Sequence, residues 1–299
     1  MNNTLTVIIV NYKSWDKLTY CLESIKNQAN IVLNVIVVDN FSNDTIICDF
    51  KNKFKWVKWI ENKTNLGFAK ACNIGAKNSN SNWLLFLNPD TIIKKNNLSS
   101  LIKFCDKNQN HRIIGIKQLN KKNKPSNSFG LFLNIWSINS FFRIFSRIVK
   151  NQTYNRINRE SISNPDWISG SFILIRMIDF IKLNGWNENY WMYYEDMDLC
   201  KRANNLKLRV SILNNWECTH FHGVSSRINK KIKVKTKAEV LKSSHIYVNT
   251  HFKGVYNSLL HISLFFSNLI RLIILSFFSS TMRSVLKLYL TTLIKLSKW

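Results

Sequence analysis

The chain has 299 residues, 45% of them hydrophobic, enough to bury a sizeable core, and it fits one large α/β domain with an appendage better than two independent domains. Lys and Arg number 43 against 17 Asp and Glu, a formal net charge of +26 that brings folding no benefit and asks for an anionic partner: nucleic acid, anionic lipid or a phosphorylated substrate. The 6 cysteines include no C-x-x-C pair and no zinc-like spacing, which excludes a zinc module and reads as reduced core packing in a cytosolic protein.

The apolar stretch Val7–Val10 is too short for a signal peptide and has no small-residue cleavage site behind it, so it reads as the middle of a first strand, Thr6–Val10. A helix follows, with Leu18, Cys21, Leu22 and Ile25 at i, i+3, i+4 and i+7, and then a strand Val35–Val38 ending in Asp39, which completes a βαβ unit. Helices are expected around Thr45–Phe54 and Ala69–Lys77, and Trp83–Leu87 is a further strand. Apolar strands without polar alternation belong to a parallel sheet covered on both faces, so the first half reads as a nucleotide-binding α/β layer structure. From about Lys117 to Ser163 the pattern dissolves into Lys/Asn-rich turns around an aromatic cluster, Phe129–Phe145, expected to be variable and partly mobile. Order returns with a buried strand in Asp166–Arg176, followed by the aromatic and acidic run Trp186–Arg202.

Acidic residues are scarce, yet Asp39 closes Val-Ile-Val-Val-Asp and Asp90 closes Leu-Leu-Phe-Leu-Asn-Pro-Asp. Open α/β sheets bind ligands outside the carboxyl ends of their strands, so both carboxylates stand where a nucleotide and its metal would sit. The bland alternatives are a helix cap at Asp39 and a Pro-Asp turn at Asp90. In Asn65–Gly75 a glycine turn at Gly67 precedes a helix whose first amides could face phosphate, although a helix start packed on the sheet through Phe68 and Cys72 explains it equally. Glu195, Asp196 and Asp198 crowd within four positions, a pattern that raises carboxyl pKa values and suits a general base or a metal; a solvated helix start is the alternative. His220 and His222 alternate on an extended segment, so only one of them can face a site on either side.

Together these blocks resemble the family-2 glycosyltransferases, in particular the bacterial branch that includes rhamnosyltransferases of surface-polysaccharide assembly. The series that carries the resemblance covers roughly residues 5–230: Val7-Ile-Ile-Val-Asn11-Tyr12, Val38-Asp39-Asn40, Asn65-x-Gly67-Phe-Ala69 with Asn73-x-Gly75, Leu87-Asn-Pro-Asp90, Trp167-x-x-Gly170, Gly185-Trp-Asn-Glu188, Tyr194-Glu195-Asp196-x-Asp198-Leu-Cys200 and His220-x-x-Gly-x-Ser225. The resemblance implies a Rossmann-like glycosyltransferase A fold with a mainly parallel sheet. It implies a nucleotide diphosphate sugar donor held by Asn11, Asp39, Asn65, Gly67, Asn73 and Asp198. It further implies Mg2+ or Mn2+ at Asp90 and His220, with Asn88 standing where the family's metal motif has its first carboxylate, and a catalytic base at Asp196, with Glu195 as the alternative. A basic nucleic-acid-binding protein is the rival class, but it gives no reason for carboxylates at successive strand ends, and no nucleic-acid partner is expected.

The catalytic domain is taken as 1–250 and the remainder, 251–299, as a tail of amphipathic helices. Leu259–Phe278 is apolar but contains His261, Asn268 and Arg271, so crossing a membrane would bury an arginine at about 2.5–3.5 kcal/mol. Beyond it Arg283, Lys287, Thr291 and Lys295 recur every fourth residue opposite Val285, Leu286, Tyr289, Leu290, Leu293 and Ile294. That pattern suits a helix lying in an anionic interface, with packing on the catalytic domain or on a second subunit as the alternative. The expectation is a cytoplasmic enzyme held peripherally on the inner face of the cell membrane, beside a polyprenyl-linked saccharide acceptor.

Overall fold

The computed structural model describes residues 4–126, 128–133, 160–221 and 229–296, with side chains as far as Thr291. The described residues fall into two compact units, one of 4–126, 128–132, 160–188 and 195–221 and the other of 133, 189–194 and 229–296. Most of the aromatic segment Phe129–Phe145 lies outside the described residues, as do His222 and Ser225.

The first unit runs β1 (Thr4–Asn11), α1 (Trp15–Lys26), β2 (Val32–Asp39), α2 (Ile46–Lys53), β3 (Lys58–Glu61), α3 (Phe68–Lys77), β4 (Trp83–Leu87), β5 (Thr91–Ile93), α4 (Asn97–Lys107), β6 (Ile113–Leu119), β7 (Phe129–Gly130), β8 (Ile162–Ser163), β9 (Trp167–Ile168), β10 (Phe172–Arg176), α5 (Met177–Lys182), α6 (Glu195–Asn205) and β11 (Val210–His220). The main sheet has the order β3-β2-β1-β4-β10-β6-β11-β5, with β8 paired to β11, and β7 and β9 form a separate ladder. β3, β2, β1 and β4 are parallel, as are β6 and β11. β10 runs antiparallel between β4 and β6. The fold is therefore the expected α/β type with a mixed, mainly parallel sheet.

The apolar strands have no polar side because helices cover both faces. Leu5, Val7 and Ile9 of β1 pack with Leu18, Cys21 and Ile25 of α1 and Leu98, Leu101 and Ile102 of α4. Ile8 and Val10 turn to the other face, against Ala69, Cys72 and Ala76 of α3 and Leu199 and Ala203 of α6. Each large side chain so buried contributes about 1.5–3 kcal/mol. α3 lies so close to β1 that a Cβ on Gly75 would stand 2.5 Å from Ile8 Cγ2. The strand expected in Asp166–Arg176 is two strands, because the turn at 169–171 breaks it and sends β9 and β10 into different sheets.

The second unit contains α7 (Lys230–His251), α8 (Gly254–Phe278) and α9 (Ser280–Leu296). Part of the apolar face of α9 is packed inside this unit: Met282, Val285 and Tyr289 are buried with Ala238 of α7 and Leu272 of α8, whereas Leu290 is exposed. Amphipathic periodicity identified the face, and a neighbouring helix pair covers that part of it.

Candidate active site

The acidic and amide residues singled out in the sequence gather at the carboxyl edge of the parallel strands. Asn11 and Asp39, the last residues of β1 and β2, are paired across the ladder. Asp39 is buried and its carboxylate accepts from Asn11 Nδ2 (3.0 Å), from Ser42 Oγ (2.6 Å) and from the Ser42 backbone N–H (2.9 Å). Beside it Asn40 ties β2 to the following loop, donating to Asn65 Oδ1 and to the Gly67 carbonyl (both 3.1 Å) and accepting from Leu66 N and Asn62 Nδ2 (both 3.0 Å). Asn65 Oδ1 also accepts from Gly67 N (3.1 Å), and Gly67 takes a φ of 87°, open to glycine at no steric cost.

Asp90 and His220 are distant in sequence, and the pairing of β5 with β11 brings them together in space. His220 Nε2 lies 3.1 Å from Asp90 Oδ1, with both side chains almost wholly buried. The ring's other nitrogen, Nδ1, is 3.0 Å from Gln118 Oε1. With the amide oriented so that Gln118 Nε2 donates to Ser171 Oγ (2.8 Å), Oε1 accepts from His220 Nδ1. A neutral imidazole then turns the Nε2 lone pair toward a carboxylate, an apposition that calls for a positive charge between them, either a second ring proton or a metal cation. Two ligands bound cis to one small octahedral cation lie roughly 3 Å apart, so this donor pair fits Mg2+ or Mn2+ with further positions left to water and phosphate. Among the described residues no group of three His, Cys, Asp or Glu side chains could hold a metal by itself.

The acidic pair opens α6. Asp196 Oδ2 accepts from Gly170 N (3.1 Å) and Oδ1 from Met197 N (2.8 Å). Burial raises its pKa above the ordinary carboxylate range, against the lowering pull of those N–H groups. Glu195 is more deeply buried, and its Oε2 meets no hydrogen-bond partner among the described residues. Burial pushes this carboxyl well above the usual range, and the Asp196 charge adds to the shift. The result is two adjacent carboxyls with different environments, one hydrogen-bonded and partly exposed, the other desolvated and held toward its neutral form. The backbone leading in is strained: Tyr193 and Tyr194 both have φ of 69°, a conformation that costs of order 1–3 kcal/mol per residue.

Gln118 and Ser171 were missed by sequence reading, and they connect the two halves of the site. Gly170, the donor to Asp196, precedes Ser171, which exchanges hydrogen bonds with Gln118, which in turn holds His220 against Asp90. The Ser171 carbonyl also accepts from Asn88 N (3.1 Å). The signal that could have found Gln118 is a polar side chain in the apolar strand Ile-Ile-Gly-Ile-Lys-Gln-Leu, where it is 2% exposed.

Asn73 and Asp198 are engaged differently from the others. The Asn73 amide accepts from Trp186 N and donates to the Trp186 carbonyl and to Glu188 Oε1, each at 2.9 Å. Asp198 is fully buried and accepts from Arg202 Nε at 2.8 Å. Asn73 thus ties α3 to the segment that follows α5, whereas the Asp198–Arg202 pair lies within α6.

A family model described as glycosyl transferase family 2 matches residues 6–176, and one described as the N-terminal domain of galactosyltransferase matches 161–224. Rhamnosyltransferase WbbL of Escherichia coli K12 is 25% identical over 263 residues, which covers 83% of this chain and 97% of that protein. The N-acetylglucosaminyl-diphospho-decaprenol L-rhamnosyltransferase of Mycobacterium tuberculosis is 24% identical over 68% of this chain and 71% of its own. Among solved structures, S. aureus TarS residues 1–349 superposes with a TM-score of 0.54 at 16% identity, covering 89% of this chain and 71% of that one. GalNAc-T7 with UDP, GalNAc and Mn2+ gives 0.57 at 13% identity, covering 82% and 50%. At such identities these likenesses speak for the fold alone.

Proposed function

Because this chain belongs to glycosyl transferase family 2, we propose that it moves a sugar, rhamnose in the first instance, from a nucleotide diphosphate donor to a lipid-linked saccharide with inversion at the anomeric carbon. The observation that supports the reading is the continuous polar connection from Asp196 through Gly170, Ser171 and Gln118 to His220 and Asp90, which links the proposed base to the proposed cation ligands. Asp196 takes the proton of the acceptor hydroxyl as its oxygen attacks, and a single displacement inverts the centre, without the second, nucleophilic carboxylate that retention would need. Asp39, steadied by Asn11 and Ser42, receives the nucleoside; Asn65 and Gly67 border the same pocket. Asp90 and His220 would hold Mg2+ or Mn2+, which when bound offsets the negative charge growing on the departing diphosphate. Asn73 acts by tying α3 to the Trp186–Glu188 segment, and Asp198 by its ion pair with Arg202 inside α6.

The names of the two rhamnosyltransferases support the donor sugar, and the diphospho-decaprenol in the second supports a lipid-linked acceptor in surface-polysaccharide synthesis. Such an acceptor would keep the enzyme on the cytoplasmic leaflet. The galactosyltransferase model over 161–224 favours a second reading, a hexose or N-acetylhexosamine donor. The test is transfer from dTDP-, UDP- and GDP-sugars to a polyprenyl diphosphate saccharide. Asp196→Asn is expected to lower turnover by about 10²–10⁴ with donor affinity close to normal. Near-normal turnover in that variant would remove Asp196 as the base, and loss in Glu195→Gln alone would exchange the roles.

A further inference from the structure

α8 is 25 residues long and, among the described residues, the one helix long and apolar enough to cross a bilayer. Its packing argues for a different use. Leu260, Leu264, Asn268 and Leu272 make one buried face, which meets Val248 of α7 and Val285 and Tyr289 of α9. The opposite face is bare. Val255, Leu259, Ile262, Phe266, Ile270, Ile273 and Phe277 follow one another at steps of three or four and are all exposed, up to 78% at Phe277, with Phe278 at 85%. From Val255 to Phe277, at about 1.5 Å per residue, this makes an apolar stripe about 33 Å long. A stripe of that size left to water is an interaction surface.

The charge beside the stripe identifies what covers it. α7 begins with Lys230, Lys231, Lys233, Lys235 and Lys237 and has no acidic residue in its first turn. Cations at a helix N-terminus oppose the macrodipole, so Lys230, Lys231 and Lys233 in the first turn weaken their own helix, a cost that an external anion would offset. Lys230 Nζ donates to Ser280 Oγ at 3.0 Å, which sets the start of α7 beside the end of α8, next to Phe277 and Phe278. Lys235 is already engaged, its ammonium 3.8 Å from the centre of the Trp191 ring, whereas Glu239, the sole acid of 230–296, pairs with Lys242. Spanning is disfavoured because α8 is flanked by α7 and α9, whose lysines and arginines would have to enter the hydrocarbon with it.

We propose that the exposed face of α8, with the lysines at the start of α7, is a docking surface for an anionic lipid leaflet. The apolar residues sink about 5–10 Å to the level of the acyl boundary while the lysines meet lipid phosphates. This deepens the reading of a membrane-borne acceptor and replaces α9 with α8 as the element that meets the membrane.

The experiment is co-sedimentation of the full chain with phosphatidylglycerol-containing vesicles and with pure phosphatidylcholine vesicles, without sugar nucleotide, so that its failure is separate from failure of the transferase reading. The wild type is expected to bind the anionic vesicles. Phe266→Asp with Ile270→Asp should weaken that binding at least tenfold. Lys230→Glu with Lys231→Glu and Lys233→Glu should weaken it by roughly a hundredfold on anionic vesicles. Donor-nucleotide affinity should be unchanged in both. Phe277→Ser, at the exposed end of α8, is the variant to read if the double substitution lowers the melting temperature. Binding equal to wild type in a folded variant overturns the proposal. So does a dimer in light scattering that Phe266→Asp with Ile270→Asp dissociates, since the stripe would then be covered by a second copy of the chain.

Discussion

At the scale of single residues, the site turns on which proton sits where. In the proposed cation site, His220 Nε2 must keep its lone pair toward the cation, which requires that Nδ1 carry the ring proton and donate to Gln118 Oε1. Gln118→Leu removes no ligand, yet it is expected to weaken Mn2+-dependent nucleotide binding about 10–100-fold, measured by calorimetry with and without the metal. If the metal makes no difference to the wild type, the cation site itself is wrong. Glu195 predicts in the other direction. Its folded pKa lies above the unfolded one, so between the two the native state holds the extra proton and stability falls as pH rises. Glu195→Gln should therefore stabilise the fold at neutral pH, by about 1–3 kcal/mol for an unpartnered buried group, and should gain nothing below the unfolded carboxyl range. Melting temperatures of both proteins from about pH 4 to about pH 8, roughly the window from carboxyl titration to neutrality, check the sign. Asp39 and Asp90 were legible in the sequence because carboxylates are rare in so basic a chain and stand where apolar strands end, and Glu195–Asp196 because three carboxylates crowd within four positions. Gln118 and Ser171 were not, since their role depends on β10 entering the sheet antiparallel beside β6, a pairing between distant segments that local pattern does not encode.

At the scale of elements, period and apolar content gave the helices and strands of the first half, but not what each face would meet. α3 approaches β1 so closely that Gly75→Ala must displace Ile8 Cγ2, at an expected cost of about 1–3 kcal/mol, readable as a lower denaturation midpoint. α9 taught the complementary lesson: Met282, Val285 and Tyr289 of its apolar stripe are covered by α7 and α8. Inside that unit a hydrogen-bonded row crosses all three helices, Asn268 Nδ2 to Tyr289 Oη at 3.3 Å, Tyr289 Oη to His245 Nε2 at 2.8 Å and His245 Nδ1 to His261 Nδ1 at 2.9 Å. Burial lowers the His245 pKa to about 4, helped by the facing His261, whose own pKa burial also lowers. A folded pKa below the unfolded value means that the unfolded chain binds more protons, so the unit keeps its full stability above about pH 6.5 and loses it as pH falls toward about 4. Hydrogen exchange of the α7–α9 amides should accelerate over that window, and His245→Gln should flatten the dependence. An unchanged slope in the variant would assign the acid sensitivity elsewhere.

At the scale of the whole molecule, one charge excess of +26 has two consequences of opposite sign. In free solution the lysines and arginines repel one another, so added salt should raise the melting temperature as the Debye length shortens from about 30 Å at 0.01 M to about 3 Å at 1 M. On an anionic vesicle the same screening removes the attraction that holds the chain, and binding should fall steeply over the same range. If the buried Asp39 receives the nucleoside as proposed, donor binding should change far less. Cutting the chain after Lys253 is a poor substitute for this experiment. It would strip α8 and α9 from α7 and bare Val234, Ala238, Leu241 and Val248, creating a new apolar surface that sticks to vesicles whatever their charge. The salt series on the intact chain separates the meanings of the charge. A merely compositional excess gives the rise in melting temperature alone, whereas a membrane-directed one gives that rise together with release from phosphatidylglycerol vesicles and no comparable change on phosphatidylcholine.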